Sequence, residues 1–538
     1  MSLGGFLANG KGDRGALVRA FIVLIGLSAF VATRWFHPIR GLGNPDIAGI
    51  LYSADALNHG LVPYRDTIDM KPPGTFFLVA AVFRFGARNL DALQIAYAIW
   101  LALGAPAMAV AADVLYESDE QKKRTRACAV GLYLLTIGVF DMNYASWMTV
   151  AYAWSFAMLL VGLLRGRWYA HLLAGVLGAF ACLLKTQALV LLPLFALSWW
   201  WSKRRRDPGA TYSAFAWWAL GAAFGLAPLC TFYAAHGAVP ELLRGLFPIA
   251  SATAYSARRV LGFADLKLLW QVPRQTLRHL PLLVTLAVAA AMGARKRQPE
   301  SEHTESPFMP QLLFWALSIA GCALGGLRFF IHYLPQCVPA LVLLAAHPKS
   351  LQWLLAPRER LVPRVRFFAA RGHALLASGL AFFLLVRIPF GLAASVDNRG
   401  SAMVEVAGKM IRDNTTPDDR ILVWGWPAWG TYYFADRRSP SPIFKVLGQL
   451  TDFNDNSDFS PATAIHFRDG PLARELLSDM KNDPPAYFVR ARPFFPGSAT
   501  DPLDEFVELR DLVARDYVPV AGYGHIGVYE RRGRIRKQ

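Results

Sequence analysis

Residues 90–116 read LDALQIAYAIWLALGAPAMAVAADVLY, and the basic cluster Lys122, Lys123, Arg124 and Arg126 follows at once. The only charges in the run are Asp91 and Asp113. At a rise of about 1.5 Å per residue, such a run crosses the roughly 30 Å hydrocarbon layer of a bilayer. The basic cluster marks the end that stays in the cytoplasm. This one segment predicts a polytopic, mainly helical membrane protein and sets the direction in which its neighbours run.

Composition agrees. Of 538 residues, 54% are hydrophobic and 17% charged, too few charges for a soluble domain of this length. The net charge of +18 would fit nucleic acid, but the cations fall in short clusters between apolar blocks, as the positive-inside rule requires. Nucleic acid is therefore excluded as a partner. Cys128, Cys182, Cys230, Cys322 and Cys337 lie in or beside apolar blocks, and none forms a CxxC pair, which argues against a disulfide framework or a zinc knuckle. The first apolar block, 16–33, follows Lys11, Arg14 and Arg19 and has no small-residue cleavage site after it. It reads as a retained span entering from the cytoplasm.

Working outward, residues 34–74 become an external loop, and the short block 75–86, with Arg84, an interfacial helix. Further spans are expected near 127–140, 149–164, 169–184, 188–201, 215–233, 280–293, 311–325, 329–346 and 375–394. With 16–33 and 90–116 this makes about eleven spans, and every short basic loop falls on one side. The transmembrane domain covers 1–395. Beyond it, residues 396–538 gain charge, Asn, Pro and Gly. Strand patterns at 420–426, 486–489 and 518–529 alternate with helical spacing at 471–481 and 502–516, predicting a small α/β domain on the outer face.

This topology gathers Asp46, Asp69, Lys71, Asp141, Lys185, Arg258, Arg259, Arg328 and His332 on the external side. Ionisable groups at membrane depth are costly and line functional cavities. Carboxylates and cations together suit a hydroxylated, phosphate-bearing substrate. Local roles compete for each residue. Asp46 can cap the helix that begins beside Pro45, and Asp141 can cap the next one. Asp69 can pair with Arg65 or Lys71 at the surface. Lys71-Pro72-Pro73-Gly74 can be a rigid turn, and Lys185 can snorkel. Arg328 and His332 share a helix face and can mark its end. No HxxxH or HExxH pattern occurs, so His332 is not read as a metal ligand.

Three stretches carry a resemblance. Pro45-Asp46, Pro63-Tyr64-Arg65-Asp66 and Asp69-Met70-Lys71-Pro72-Pro73-Gly74 together resemble the first external loop of bacterial family 39-like (GT-C) glycosyltransferases. Their relatives include lipid A aminoarabinose transferases and protein O-mannosyltransferases. Leu327-Arg328-Phe329-Phe330-Ile331-His332-Tyr333-Leu334-Pro335 resembles a late-span motif of the group. Val423-Trp424-Gly425-Trp426, Tyr432-Tyr433 and Arg437-Arg438 resemble the start of its outer domain. Relatives often have Asp-Glu in the first loop, whereas here Ile47 follows Asp46.

The resemblance implies a polyprenyl-phosphate sugar donor and inverting transfer to a glycan, lipid or protein hydroxyl outside the bacterial inner membrane. The N-terminus would be cytoplasmic and the C-terminal domain periplasmic. Asp46 would be the general base. Lys71 would hold the donor phosphate, with Arg258, Arg259 and Arg328 next and Lys185 behind them. A divalent metal shared by Asp46 and Asp69 stays open as a cofactor. Trp424, Trp426 and Trp429 can stack on sugars or belong to the core. The rival readings are a lipid-linked glycan transporter or flippase, a non-catalytic envelope-assembly subunit, and a ligase using a diphosphate-linked donor.

Overall fold

The computed structural model describes residues 11–35, 45–86, 88–116, 118–196, 208–246, 308–323, 331–347, 399–452 and 464–534, with 280, 283, 284 and 287. The expected span 375–394 and nearly all of 280–293 lie outside these residues, as do Arg258, Arg259 and Arg328.

The membrane domain is helical. Its elements are α1 (Lys11–Trp35), α2 (Pro45–Asn58), α3 (Gly74–Gly86), α4 (Leu90–Ala102), α5 (Gly104–Leu115), α6 (Asp119–Ile137), α7 (Tyr144–Arg165), α8 (Trp168–Leu184), α9 (Pro208–Ala235), α10 (Val239–Leu246), α11 (Phe308–Ala323) and α12 (Val338–Ala345). Among the described residues, Leu90–Leu115, Tyr144–Arg165 and Tyr212–Ala235 are long and apolar enough to cross a membrane. The shorter apolar helices Gly74–Gly86, Trp168–Leu184, Thr186–Ala196, Gln311–Cys322 and His332–Ala345 fall on other expected blocks.

The apolar surface is unevenly covered. α7 is 78% buried over its apolar window and forms the centre of the helical core, whereas the corresponding window of α9 is only 11% buried. Phe215, Leu220 and Phe224 of α9 face outward. A greasy helix with its side chains exposed is stable only in an apolar solvent. Where α8 meets α9, a side chain at Gly175 would run into the Trp218 carbonyl, and one at Gly221 into the Leu172 carbonyl. These glycines let the backbones touch, as small residues do between membrane helices.

The C-terminal domain opens with α13 (Arg399–Asp413). It continues with β1 (Ile421–Trp424), α14 (Gly430–Ala435), α15 (Pro471–Asn482), β2 (Tyr487–Ala491), α16 (Pro502–Glu505), α17 (Val507–Asp516), β3 (Tyr517–Tyr523) and β4 (Ile526–Arg531). The sheet order is β1-β2-β4-β3. β1 and β2 are parallel with Val423 opposite Val489, and β4 runs antiparallel to both its neighbours. Every residue of β1 and β2 is buried, as expected for strands covered on both faces. The domain seats on α2. There the Tyr52 ring stacks on Phe444 at 4.1 Å, and its hydroxyl accepts from the Ser439 N–H at 3.0 Å.

Candidate active site

Pro45 is the first residue of α2, with its fixed φ suited to a helix start, and Asp46 is the second. Asp46 thus lies in the first turn, where the helix dipole favours its charge, and its side chain stays half-buried. The loop after α2 then folds back beside it. Tyr64 takes a left-handed φ of 68°, held by its N–H on the Thr67 carbonyl at 2.8 Å and its hydroxyl on the Lys71 carbonyl at 2.7 Å. Arg65 pairs with Asp66 and not with Asp69.

Asp69 is buried and fully occupied. Its Oδ1 accepts the backbone N–H groups of Met70 at 2.7 Å and Lys71 at 3.2 Å. Its Oδ2 accepts from the Tyr144 hydroxyl at 3.4 Å and from the Lys445 ammonium, with which it forms an ion pair. An ionised carboxylate offers about four lone-pair positions, and here the protein fills all four. Asp69 therefore has no position left for a metal ion or an acceptor proton. The surface pairing considered for it from sequence gives way to a buried pair with the C-terminal domain.

Lys185 follows α8 as its extended C-cap residue and is buried, so it does not snorkel. Its ammonium lies 3.9 Å from the centroid of the Tyr333 ring and in electrostatic contact with Lys71 and Asp46. His332 lies on the 3-10 turn Ile331–Cys337, in electrostatic contact with Lys185, Lys71 and Asp141. Asp46 and Asp69 both act on the Tyr144 hydroxyl. Asp46, Asp69, Lys71, Lys185 and His332 are thus brought together from four segments of the chain. Asp141 is an exposed neighbour of this group. It does not cap α7, because Asn143 does, accepting from the N–H groups of Ala145 and Ser146 in a capping box.

Sequence reading missed Lys445 and Tyr144. Lys445 did carry a signal, since it is a lone cation among Ile443, Phe444, Val446 and Leu447 in an otherwise polar domain. The Trp429 and Phe444 rings lie 5.3 Å from its ammonium. Gly49 of α2 makes its passage possible, because a Cβ there would overlap the end of the lysine side chain. Trp424 belongs to the domain core, with its indole N–H on Asp501 at 3.0 Å.

The group combines a half-buried carboxylate at a helix N-terminus with two lysines in electrostatic reach of one another. That arrangement can take a proton on one side and hold an anion on the other. For a metal bridging Asp46 and Asp69 the donor set does not fit, given the occupancy of Asp69. Among the described residues no three His, Cys, Asp or Glu side chains gather in a metal-binding group.

No protein-family model matches this chain, and no curated protein matches it. Solved structures do. ArnT from Cupriavidus metallidurans bound to undecaprenyl phosphate superposes with a TM-score of 0.59 at 14% identity, over 95% of this chain and 98% of that one. The same protein in its apo state gives 0.58 at 15% identity over the same shares. The archaeal oligosaccharyltransferase AglB from Archaeoglobus fulgidus, in complex with an inhibitory peptide and a dolichol-phosphate, gives 0.48 at 12% identity, over 88% of this chain and 69% of that one. At these identities the ArnT likeness establishes the fold, from the first helices through the C-terminal domain.

Proposed function

We propose that this chain is an integral membrane glycosyltransferase that moves a sugar from a polyprenyl-phosphate donor to an acceptor hydroxyl in the bacterial cell envelope. The observation that carries this reading is the meeting of Asp46 with Lys71 and Lys185 in one group. The fold shared with ArnT, one of whose structures holds undecaprenyl phosphate, supports the donor class.

In the proposed reaction the acceptor hydroxyl attacks the anomeric carbon while Asp46 takes its proton. The bond from that carbon to the phosphate oxygen breaks on the opposite face, so the configuration inverts. Polyprenyl phosphate leaves carrying the bonding pair. Lys71 balances the charge that grows on the phosphate, with Lys185 behind it, and such fixed cations stabilise the transition state more than the ground state. Arg258, Arg259 and Arg328 remain candidates for the same phosphate. His332 lies near both lysines and would border the donor. Asp69 is assigned no proton transfer, because its acceptor positions are filled. Its role is to fix the turn that carries Lys71. No step is assigned to a divalent metal. The reaction is placed on the external face, with the outer domain above it.

Binding of undecaprenyl phosphate to the chain in nanodiscs tests the donor class. Wild type should bind, and Lys71→Ala should bind at least ten-fold more weakly. Absence of binding by wild type, or equal binding by the variant, would contradict the proposal.

A further inference from the structure

A cleft of about 260 Å³ opens along the seam between the two domains, lined by none of the residues of the Asp46 group. Its walls are the C-terminal end of α2, Arg88 and the C-terminal-domain segments around residues 417–420 and 432–438. Much of its charge is already engaged. Arg88 bridges Asp55 and Asp436, each at 3.0 Å. Arg437 donates to the Thr415 hydroxyl at 2.8 Å and to the carbonyls of Thr415, Asp436 and Arg412.

Arg420 and Arg438 are left. Their backbones pair as neighbours in a parallel bridge, which sends both side chains to one side. Arg420 has one ion partner among the described residues, Asp483 at 3.4 Å, and Asp483 does not line the cleft. The Arg438 guanidinium makes no hydrogen bond or ion pair among the described residues. Two half-buried guanidinium forks side by side match the oxygens of a phosphate or a carboxylate. His59 and Asp418 stand at the same cleft. Asp418 is exposed and would repel a bare anion, but it accepts hydrogen bonds from hydroxyl groups. The combination therefore favours an oxyanion mounted on a hydroxylated framework.

Two connections tie the cleft to the Asp46 group. α2 carries Asp46 in its first turn and Asp55 nine residues later, a rise of roughly 14 Å at about 1.5 Å per residue. The segment 438–445 delivers Arg438 to the cleft at one end and Lys445 to Asp69 at the other. Asp46 and the cleft are thus fixed relative to each other by one helix and one loop.

We propose that this cleft binds an anionic saccharide through its phosphate or carboxylate, with Arg420 and Arg438 as the anion ligands, and so holds the acceptor relative to Asp46. The acceptor assignment rests on the transferase reading above. Binding itself does not.

The test is calorimetric titration of the full chain in nanodiscs with glucose 1-phosphate, glucuronate, glucose and inorganic phosphate. At least one of the two sugar acids should bind wild type at least ten-fold more tightly than glucose or inorganic phosphate do. The tighter of the two identifies the oxyanion. Arg420→Gln and Arg438→Gln should each weaken it at least ten-fold, while Lys71→Gln should leave it unchanged. Both arginines are partly solvent-exposed, and unchanged melting of the two variants checks their fold. No binding of either sugar acid, equal binding by the arginine variants, or inorganic phosphate binding as tightly and weakened equally by the arginine variants would overturn the proposal. Because the titration needs no turnover, failure of donor binding or transfer in separate assays would count against the reaction and not against the cleft.

Discussion

Lys445 and Asp69, separated by 376 residues in sequence, form a buried ion pair that joins the C-terminal domain to the loop carrying Lys71. Both side chains are within a tenth of full burial. Breaking such a pair from one side leaves an uncompensated charge at a cost of about 3–5 kcal/mol, whereas replacing both partners with neutral groups is often tolerated. Lys445→Met should therefore destabilise the protein and draw Lys71, two residues from Asp69, toward the stranded carboxylate. Undecaprenyl-phosphate affinity should fall at least ten-fold, and adding Asp69→Asn should restore most of it. Unchanged affinity in the single variant, or no recovery in a folded double variant, would separate the pair from donor binding.

Gly49→Ala offers a second route to the same disturbance. The added Cβ meets the flexible end of Lys445 and not backbone. Lys445 should be displaced while α2 persists. Donor binding should weaken in the direction of Lys445→Met, with a smaller loss of melting temperature. A variant indistinguishable from wild type in both measurements would show that the lysine does not need this gap.

The cap of α7 supports Tyr144, which touches Asp69. Asn143→Ala removes both side-chain bonds to Ala145 and Ser146. Lost caps cost about 0.5–2 kcal/mol. The variant should melt earlier by an amount in that range.

The C-terminal domain should lose stability in acid. Burial acts to raise the Asp419 carboxyl, but the N–H and hydroxyl of Thr416 and the Arg534 guanidinium outweigh it and hold it below its ordinary value of 3.8. A carboxyl depressed in the folded state contributes stability that is complete above its unfolded pKa and is lost as pH falls through its folded pKa. The melting temperature of wild type should fall as pH drops below about 3.8. Asp419→Asn should start lower and vary less across that window. Parallel curves for the two proteins would assign the acid sensitivity to other carboxylates.

Much of this architecture was legible in the sequence because apolar blocks and basic clusters are local signals. The runs at 90–116, 149–164 and 215–233 became helices long enough to span, and the strand patterns near 420–426, 486–489 and 518–529 became the C-terminal sheet. The structure also brings Asp46, Lys71, Lys185 and His332 together, as the charge alternation along the sequence predicts. Contacts set by packing were not legible. Nothing in the periodicity near Lys445 says that its ammonium crosses to Asp69. The choice of Asn143 over Asp141 as a cap depends on a turn whose geometry the surrounding helices impose. The block expected at 127–140 belongs to a helix beginning at Asp119, because its charged first turns extend beyond the apolar stretch.

The most direct test of the central claim is sugar transfer from a panel of polyprenyl-phosphate sugars by wild type and Asp46→Asn in nanodiscs, with donor binding measured on the same samples. Loss of a general base should lower kcat by about 10²–10⁴ while donor binding persists. Equal turnover by the two proteins would remove Asp46 from the chemistry, and donor binding without transfer to any of a broad set of acceptors would contradict the transferase assignment in favour of a carrier or a non-catalytic subunit.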